Sequence, residues 1–366
     1  MLVKVIKNIL VGVLTGASVV TVLLLLLVGY SDRIDPVDHP MLACLGMFLP
    51  FAVVANILFI PIWVIFKWKR VWIPVVGLVL AYAPIRTYFP INFNADKEPP
   101  AEGIKVVSYN VCGFGGNYKY EQAVDTVAGY LKRIDADIVC LQEDMGGKGG
   151  NGFEKMKELY PYNDTIHFSN DVIFNAIGIH TRYPIIRKER LPMSSRSNGA
   201  IAYFLQVEED TVIVVNNHLE STHLSSEERN RYQEVLKGEV ERDSAEAELW
   251  YILKKLSLHM ADRAIQARTV NEFVETHSGY PIILCGDFND TPVSYTRHTV
   301  ATHLNDCFVS AGCGLGLSFN RKGFNLRIDH MMCSDDYEPV RCYVDNEMDA
   351  SDHYPIVCWL KKARNQ

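Results

Sequence analysis

Four short segments, each at one end of an apolar run, collect a large share of the polar residues found among hydrophobic ones after residue 100. They are Ser108-Tyr109-Asn110, Leu141-Gln142-Glu143, Gly286 to Asp290 (GDFND) and Ser351 to Pro355 (SDHYP). Asn216 to Glu220 (NNHLE) and Arg327 to Met332 (RIDHMM) complete the set. Imidazoles and carboxylates are the groups of general acid–base catalysis. A carboxylate against one imidazole nitrogen fixes the tautomer and raises the basicity of the other. Carboxylate oxygens are also what a hard divalent cation takes, Mg²⁺ accepting one or two of them together with several waters. Placed at strand ends, such groups sit at the rim of a sheet, where a substrate reaches them.

Regular elements must hold these segments at one height. β-Rich runs recur at Lys105–Asn110, Ile138–Gln142, Ala176–Thr181, Ala200–Val207, Val212–Asn217, Ile282–Gly286, Ile328–Met332 and Pro355–Leu360. Ala123, Val127, Tyr130, Leu131 and Ile134 fall at helical spacing and predict a helix over Glu121–Ile134. Ser225 and Glu228 have capping-box spacing, and helical patterning continues from there, with interruptions, to about Thr276. The charged stretch Glu227–Glu248 reads as a solvated helix face. Strands and helices mixed in this way predict a layered α/β or α+β sandwich with active loops along one rim.

The six motifs, in this order over about residues 104–360, resemble the endonuclease/exonuclease/phosphatase superfamily of metal-dependent phosphodiesterases, in particular a membrane-anchored branch of it. Gly178–Ile185 and the stretch carrying Arg263, Gln266 and Ala267 resemble further parts of the same family. The resemblance implies a DNase I-like four-layer sandwich, two packed β-sheets flanked by helices, with the site at its top. A phosphodiester is anionic and resists attack, so a catalyst must neutralise it, supply a water nucleophile and stabilise charge on the leaving oxygen. By resemblance Glu143 is a ligand of Mg²⁺, or of Mn²⁺, with Asn110 beside it and Asp352 close to the metal. His353 is implied as an acid or base oriented by Asp329, while Asp287 and Asn289 position the attacking water and bind the phosphate. His218 stands where some members carry tyrosine. A histidine there resembles branches that include DNase I, sphingomyelinases and phosphoinositide phosphatases, and it pairs with His353. Whether Asp287 or a histidine is the base stays open.

Around this set, Asn216 is a candidate substrate-binding residue that either assists His218 or caps its strand, and Arg327 either contacts the phosphate or makes a salt bridge. Arg196, with Asn198, is a substrate contact at the rim or part of a solvated loop. His330 reads as a core or wall histidine, and Asn217 and His223 as bystanders. The glycine-rich Asp144–Gly152 lacks the Lys-Ser/Thr of a phosphate-binding loop and reads as a rim loop.

The chain of 366 residues is 48% hydrophobic and 22% charged, which excludes a disordered protein. Its charge is unevenly spread. Residues 1–100 hold 8 Lys/Arg and 5 acids, leaving 28 and 38 in residues 101–366, a net of −10. An acidic body of this kind disfavours non-specific nucleic-acid binding. Ile9–Tyr30 and Met41–Phe66 are uncharged and long enough to span a bilayer, and Val71 to about Phe89 forms a third, proline-interrupted candidate. Lys4, Lys7, Lys67, Lys69 and Arg70 place the amino terminus and the second loop in the cytoplasm. Three spans then put the body on the extracytoplasmic face of the membrane, and two keep it inside. The expected organisation is a membrane anchor over 1–91, a linker over 92–103 and a catalytic domain over 104–362. The spacings of Cys307 with Cys313 and of Cys333 with Cys342 permit bridges without requiring them.

The leading functional expectation is a membrane-tethered, metal-dependent phosphodiesterase or phosphatase. Its partners are the lipid bilayer and a phosphoester substrate, a lipid headgroup in preference to nucleic acid, and no obligate protein partner is evident. The alternatives are an anchored extracytoplasmic nuclease acting on DNA or RNA, and a non-catalytic binding module.

Overall fold

The computed structural model describes residues 2–93, 102–115, 120–144, 151–168, 176–195, 197–222, 226–237, 239, 242–321 and 324–363. Arg196, His223, Ser225, the loop 145–150 and most of the expected linker, 94–101, lie outside the described residues.

The amino-terminal part forms α1 (Leu2–Gly29), α2 (Pro40–Ala43), α3 (Leu49–Lys67), α4 (Trp72–Leu80) and α5 (Tyr82–Tyr88). α1 and α3 run antiparallel: Asn56 Nδ2 donates to the Thr21 carbonyl at 2.9 Å, Trp63 Nε1 to Ser18 Oγ at 3.2 Å and Arg70 to the Val11 carbonyl at 3.0 Å. α4 runs back alongside α1, where Val22 packs so closely on Gly77 that a Cβ there would lie 2.8 Å from its methyl. The α4–α5 break has a local cause. Pro84 has no N–H for the Leu80 carbonyl, and the Tyr30 hydroxyl donates to that carbonyl instead at 2.6 Å. α3 begins at Leu49 rather than at Met41, because Met41–Phe48 folds as α2 and a 3₁₀ turn seated on the body.

The body runs β1 (Ile104–Asn110), α6 (Tyr120–Ile134), β2 (Ile138–Gln142), α7 (Asn151–Leu159), β3 (Tyr162–His167), β4 (Ala176–Thr181), β5 (Ile185–Arg190), β6 (Gly199–Val207) and β7 (Asp210–His218). It continues through α8 (Ser226–Lys237), α9 (Arg242–Thr276), β8 (Ile282–Asp287), α10 (Tyr295–Val300), β9 (Asn305–Asp306), α11 (Cys307–Ala311), β10 (Phe319–Arg321), β11 (Phe324–Leu326), β12 (Asp329–Cys333), β13 (Tyr337–Val344) and β14 (Ile356–Lys362). Two six-stranded sheets result, ordered β13-β14-β1-β2-β4-β3 and β5-β6-β7-β8-β12-β9, with β10-β11 as a separate hairpin. β1 pairs with β2, and β7 with β8, in parallel; the other pairings are antiparallel.

Strand alternation builds the layers. On β1, Val106 joins the core between the sheets, while Val107 and Tyr109 meet Val124, Val127 and Leu131 of α6. On β7, Val212 and Val214 face the other sheet, while Ile213 and Val215 meet Ala267 and Val270 of α9. The order is therefore helix, sheet, sheet, helix, the four-layer sandwich expected. Truncating a fully buried leucine here, Leu131→Ala for example, costs about 2–5 kcal/mol. All nine cysteines are unbridged, and Cys140, Cys285 and Cys358 are buried.

The same alternation positions the chemistry. Asn110, His218, Asp287 and Asp329 each end or begin a strand on the parity that faces the space between the sheets. Ladder pairing sets their height: His218 is the register partner of Asp287, and Asp287 of Asp329.

Candidate active site

Asn110 joins the two sheets at their upper edge. The Cys112 N–H donates to Asn110 Oδ1 at 3.0 Å, which turns the amide nitrogen toward two carboxylates, Glu143 Oε1 at 3.2 Å and Asp287 Oδ2 at 3.1 Å. Glu143 follows β2 in a left-handed conformation, φ 54°, as do Cys112 (47°) and Phe114 (58°) in the facing loop. Strained backbone at such positions persists where the surrounding fold over-determines it. Here the Gly113 N–H donates to the Glu143 carbonyl at 3.1 Å and pins the two turns together.

His353 and Asp329 form a dyad, with Nδ1 2.8 Å from Asp329 Oδ2, and the Ser351 hydroxyl accepts the His353 N–H at 3.2 Å. His353 Nε2 lies on the cleft side, 3.7 Å from Asp287 Oδ2. His218 approaches the same carboxylate from β7: its Nε2 lies 3.8 Å from Asp287 Oδ2 and 3.9 Å from Glu143 Oε1. Asp287 thus stands between two imidazoles. Its Oδ1 accepts the Asn289 N–H at 2.8 Å, and Asn289 gives one amide hydrogen to the Leu219 carbonyl at 3.0 Å. The two-proton amide of Asn289 keeps a second donor for the cleft that it lines.

The electrostatics follow from crowding carboxylates where water is scarce. Burial lifts the Glu143 carboxyl to about 7, against the opposing pull of the Asn110 amide and His353. Asp287 is raised as well, first by burial and then by its neighbour Asp329. Burial pushes the His353 imidazole down, but Asp329 and Asp287 outweigh it and raise it to about 10. The Cys112 thiol, also in the cleft, is pushed up by burial and by Asp352 and Glu143, so it stays protonated and is no nucleophile.

Glu143, Asp287 and Asp352 bring carboxylates to one cleft of about 470 Å³, with Asp329 immediately behind His353. That oxygen-rich, charge-surplus set fits a hard divalent cation. Asp287, Asp329 and His353 present possible ligand atoms within 4.8 Å of one another. The short Nδ1–Oδ2 contact inside that trio, however, is the geometry of an oriented imidazole, which leaves Glu143 with Asn110 as the better-placed metal side of the cleft.

The remaining expected residues separate. Asp352 lines the cleft but is held by Arg321, whose Nη1 lies 2.7 Å from Asp352 Oδ2. Asn216 is not a substrate contact: two residues below His218 on the same face, it lies between the sheets, accepting from Gln142 Nε2 at 2.7 Å and donating to the Leu141 and Gly178 carbonyls at 3.1 and 2.9 Å. Arg327 is not one either. It is 2% exposed, sits over the Phe308 ring and donates to the carbonyls of Leu315, Thr87 and Tyr88, tying the body to the end of α5. Burial lowers it to about 10. His330 is the wall histidine expected, its Nε2 3.0 Å from the Asp290 carbonyl and its imidazole lowered by burial to about 4.

Two arginines of the cleft escaped the sequence reading as site residues. Arg321, 41% exposed, reaches in from the β10–β11 hairpin. Arg263 is 1% exposed and pairs with Asp290 Oδ2 at 3.3 Å; its signals were the family resemblance of its stretch, read as a helix rather than a site, and a lone arginine on the apolar face of Met260, Ala264 and Ala267.

A family model described as the Endonuclease/Exonuclease/phosphatase family matches residues 107–353. The chain belongs to this family. It is accordingly a phosphoester hydrolase, and Asn110, Glu143, His218, Asp287, Asn289, Asp329, Asp352 and His353 all lie inside the match. A second model, for a domain of unknown function, matches residues 10–88. Among solved structures, D. rerio TDP2 complexed with a single-strand DNA product is 15% identical with TM-score 0.51, covering 71% of this chain and 100% of that one. The human Nocturnin catalytic domain with a bound sulfate is 16% identical with TM-score 0.51, covering 71% and 94%. An endonuclease/exonuclease/phosphatase from Beutenbergia cavernae is 16% identical with TM-score 0.52, covering 71% and 72%. At these identities they show the shared fold. No curated protein sequence matches the chain.

Proposed function

We propose that this hydrolase is a membrane-anchored, divalent-metal-dependent phosphodiesterase or phosphatase that acts at the membrane surface, on a lipid headgroup in preference to nucleic acid. The observation that carries the reading is the convergence of Asn110, Glu143, His218, Asp287 and His353, drawn from both sheets, on one cleft. Glu143, with Asn110 beside it and Asp352 near, is the place for Mg²⁺, or Mn²⁺. Such a cation, when bound, neutralises the phosphate and stabilises charge on the leaving oxygen. Asp329 holds the Nδ1 proton of His353, so that the cleft-facing Nε2 gives or takes the proton moved in the reaction. His218 faces it across Asp287, one imidazole serving as acid or base and the other as a donor to the phosphate. Asp287 orients the attacking water, and the second amide hydrogen of Asn289 is free for a phosphate oxygen.

Membrane attachment rests on α1 and α3, both long and apolar enough to cross a bilayer. The direction of their packing puts Lys4, Lys7, Lys67, Lys69 and Arg70 at one end of the bundle and Asp32, Asp35, Asp38 and the body at the other. With α4–α5 taken as the third passage, the positive-inside rule supports an extracytoplasmic body. The acidic body favours a lipid headgroup over a polyanion.

The test offers the full chain, in detergent–phospholipid micelles with Mg²⁺, sphingomyelin, phosphoinositides, plasmid DNA and RNA. Turnover of lipid with little nucleic-acid cleavage is expected. Salt-sensitive cleavage of plasmid or RNA without lipid turnover would select the nuclease reading instead.

A further inference from the structure

The catalytic cleft is not built by the body alone. Met47, on the 3₁₀ turn Cys44–Phe48 between the first two long helices, lines it together with Leu256 and Met260 of α9. These side chains belong to one apolar cluster, in which Ala43, Cys44 and Met260 are buried and Met47 and Leu256 pack against them. The seating is close: Cys44 Sγ lies 3.4 Å from Met260 Sδ, and a Cβ on Gly46 would fall 1.9 Å from the Val293 carbonyl oxygen. Asp35 pairs with Arg268, and Asp32 lies 3.4 Å from His298, beside the same turn. A turn serving only to dock the helices would be sealed against the body. Met47 is instead half-buried, with its other side in the space occupied by Glu143, His218 and His353.

The lining has a second apolar stretch, formed by Phe319, Leu326 and Ile328. The cleft therefore has a charged floor and two apolar stretches of lining, one of them shared between α9 and the turn Cys44–Phe48 of the helical bundle. Among the described residues, its lining arginines are Arg263 and Arg321, both engaged by carboxylates. A polynucleotide brings a further phosphate on each side of the scissile one and needs cations there. A phospholipid brings one phosphate with hydrocarbon next to it, and flexible, polarisable methionine suits hydrocarbon of varied shape.

We infer that the bundle completes the substrate site: Met47, Met260 and Leu256 form the wall that receives the hydrocarbon-bearing part of a membrane phospholipid while its phosphate lies among Glu143, His218 and His353. This inference rests on the phosphoester-hydrolase reading of the cleft. It makes the turn after α2 a specificity element as well as a tether.

The experiment compares the full chain with Met47→Gln, Met47→Leu and, on the same segment but exposed and outside the cleft lining, Leu42→Ser. Two substrates are used with Mg²⁺: soluble bis(p-nitrophenyl) phosphate, and mixed vesicles of phosphatidylcholine, phosphatidylinositol and sphingomyelin read by mass spectrometry of the released headgroup. The quantity read is the ratio of kcat/KM for lipid to that for the soluble diester. Met47→Gln lowers this ratio about tenfold, equivalent to about 1.4 kcal/mol, whereas Met47→Leu and Leu42→Ser keep it within about twofold. A ratio unmoved by Met47→Gln, or a soluble diester turned over with no lipid of the panel cleaved by the unmodified chain, overturns the inference and leaves the hydrolase reading standing. No turnover of the soluble diester by the unmodified chain sinks the hydrolase reading itself.

Discussion

Asp329→Asn tests how the dyad works. The carboxylate contributes two things: a charge-assisted hydrogen bond to His353 Nδ1 at 2.8 Å and the field that keeps the imidazole protonated. Hydrogen bonds to charged groups contribute about 1.5–3 kcal/mol. The rise of His353 from 6.5 to about 10 corresponds to roughly 5 kcal/mol, the net left after the favourable fields of Asp329 and Asp287 have overcome burial. Asparagine keeps the shape, removes the charge, and can offer its amide N–H where the carboxylate accepted, which admits the wrong tautomer. We expect kcat on bis(p-nitrophenyl) phosphate to fall about 10²–10³-fold, within the range of a lost acid–base group, and KM to change less than threefold. The pH–rate profile supplies the signature. His353 is raised, so its proton is held below about 10 and lost above it; without Asp329 this limb moves to lower pH. Asp287 loses a like-charged neighbour in the variant, so the fold is not expected to weaken through repulsion. A kcat within threefold of the parent, or a loss confined to KM, would refute the argument that Asp329 orients a working His353.

Other perturbations follow from the same geometry. Glu143→Gln removes a carboxylate whose place the Asn110 amide already marks, and Mg²⁺ or Mn²⁺ affinity measured by calorimetry should fall at least tenfold, with Asp329→Asn changing it less. Gly46→Ala drives a methyl against the Val293 carbonyl, and should lower stability by about 1–3 kcal/mol and speed proteolysis between the turn and the body. His330 is depressed to about 4 in the fold, so the unfolded chain takes up the proton first. Its contribution is whole above about 6.5 and is lost as pH falls from there toward 4. Melting temperature should drop across that window, and less steeply in His330→Phe.

The strands that the sequence disclosed and those that it concealed differ in position. β1, β2, β4, β6, β7, β8, β12 and β14 are all interior to their sheets, buried on both faces, and so read as apolar runs. β3, β5, β9 and β13 are the four sheet edges. Tyr162–His167 is half-buried and polar, Ile185–Arg190 is mostly charged, and β13 carries Pro339 at a register shift. Edge strands tolerate such residues because one side of the ladder has no partner, and the apolar signal goes with them. The site was legible for the same reason as the interior strands: Asn110, His218, Asp287 and Asp329 interrupt apolar runs at their ends. Asn216 was misread because parity gives the face of a strand but not the depth, and it lies one step below the rim. Arg327 was misread because its partners are carbonyls near the end of α5, remote in sequence. Arg321 and Met47 come from a hairpin and from the helical bundle, where no strand pattern announces them.

The central claim is that the cleft holding Glu143, His218, Asp287 and His353 hydrolyses phosphoesters with a divalent cation. The most direct measurement is turnover of bis(p-nitrophenyl) phosphate by the full chain in detergent, with Mg²⁺, with chelator, and for His353→Ala. Activity that needs Mg²⁺, disappears with chelator and falls at least 10²-fold in His353→Ala is the expected result. Turnover indifferent to chelator, or undiminished in His353→Ala, would contradict it.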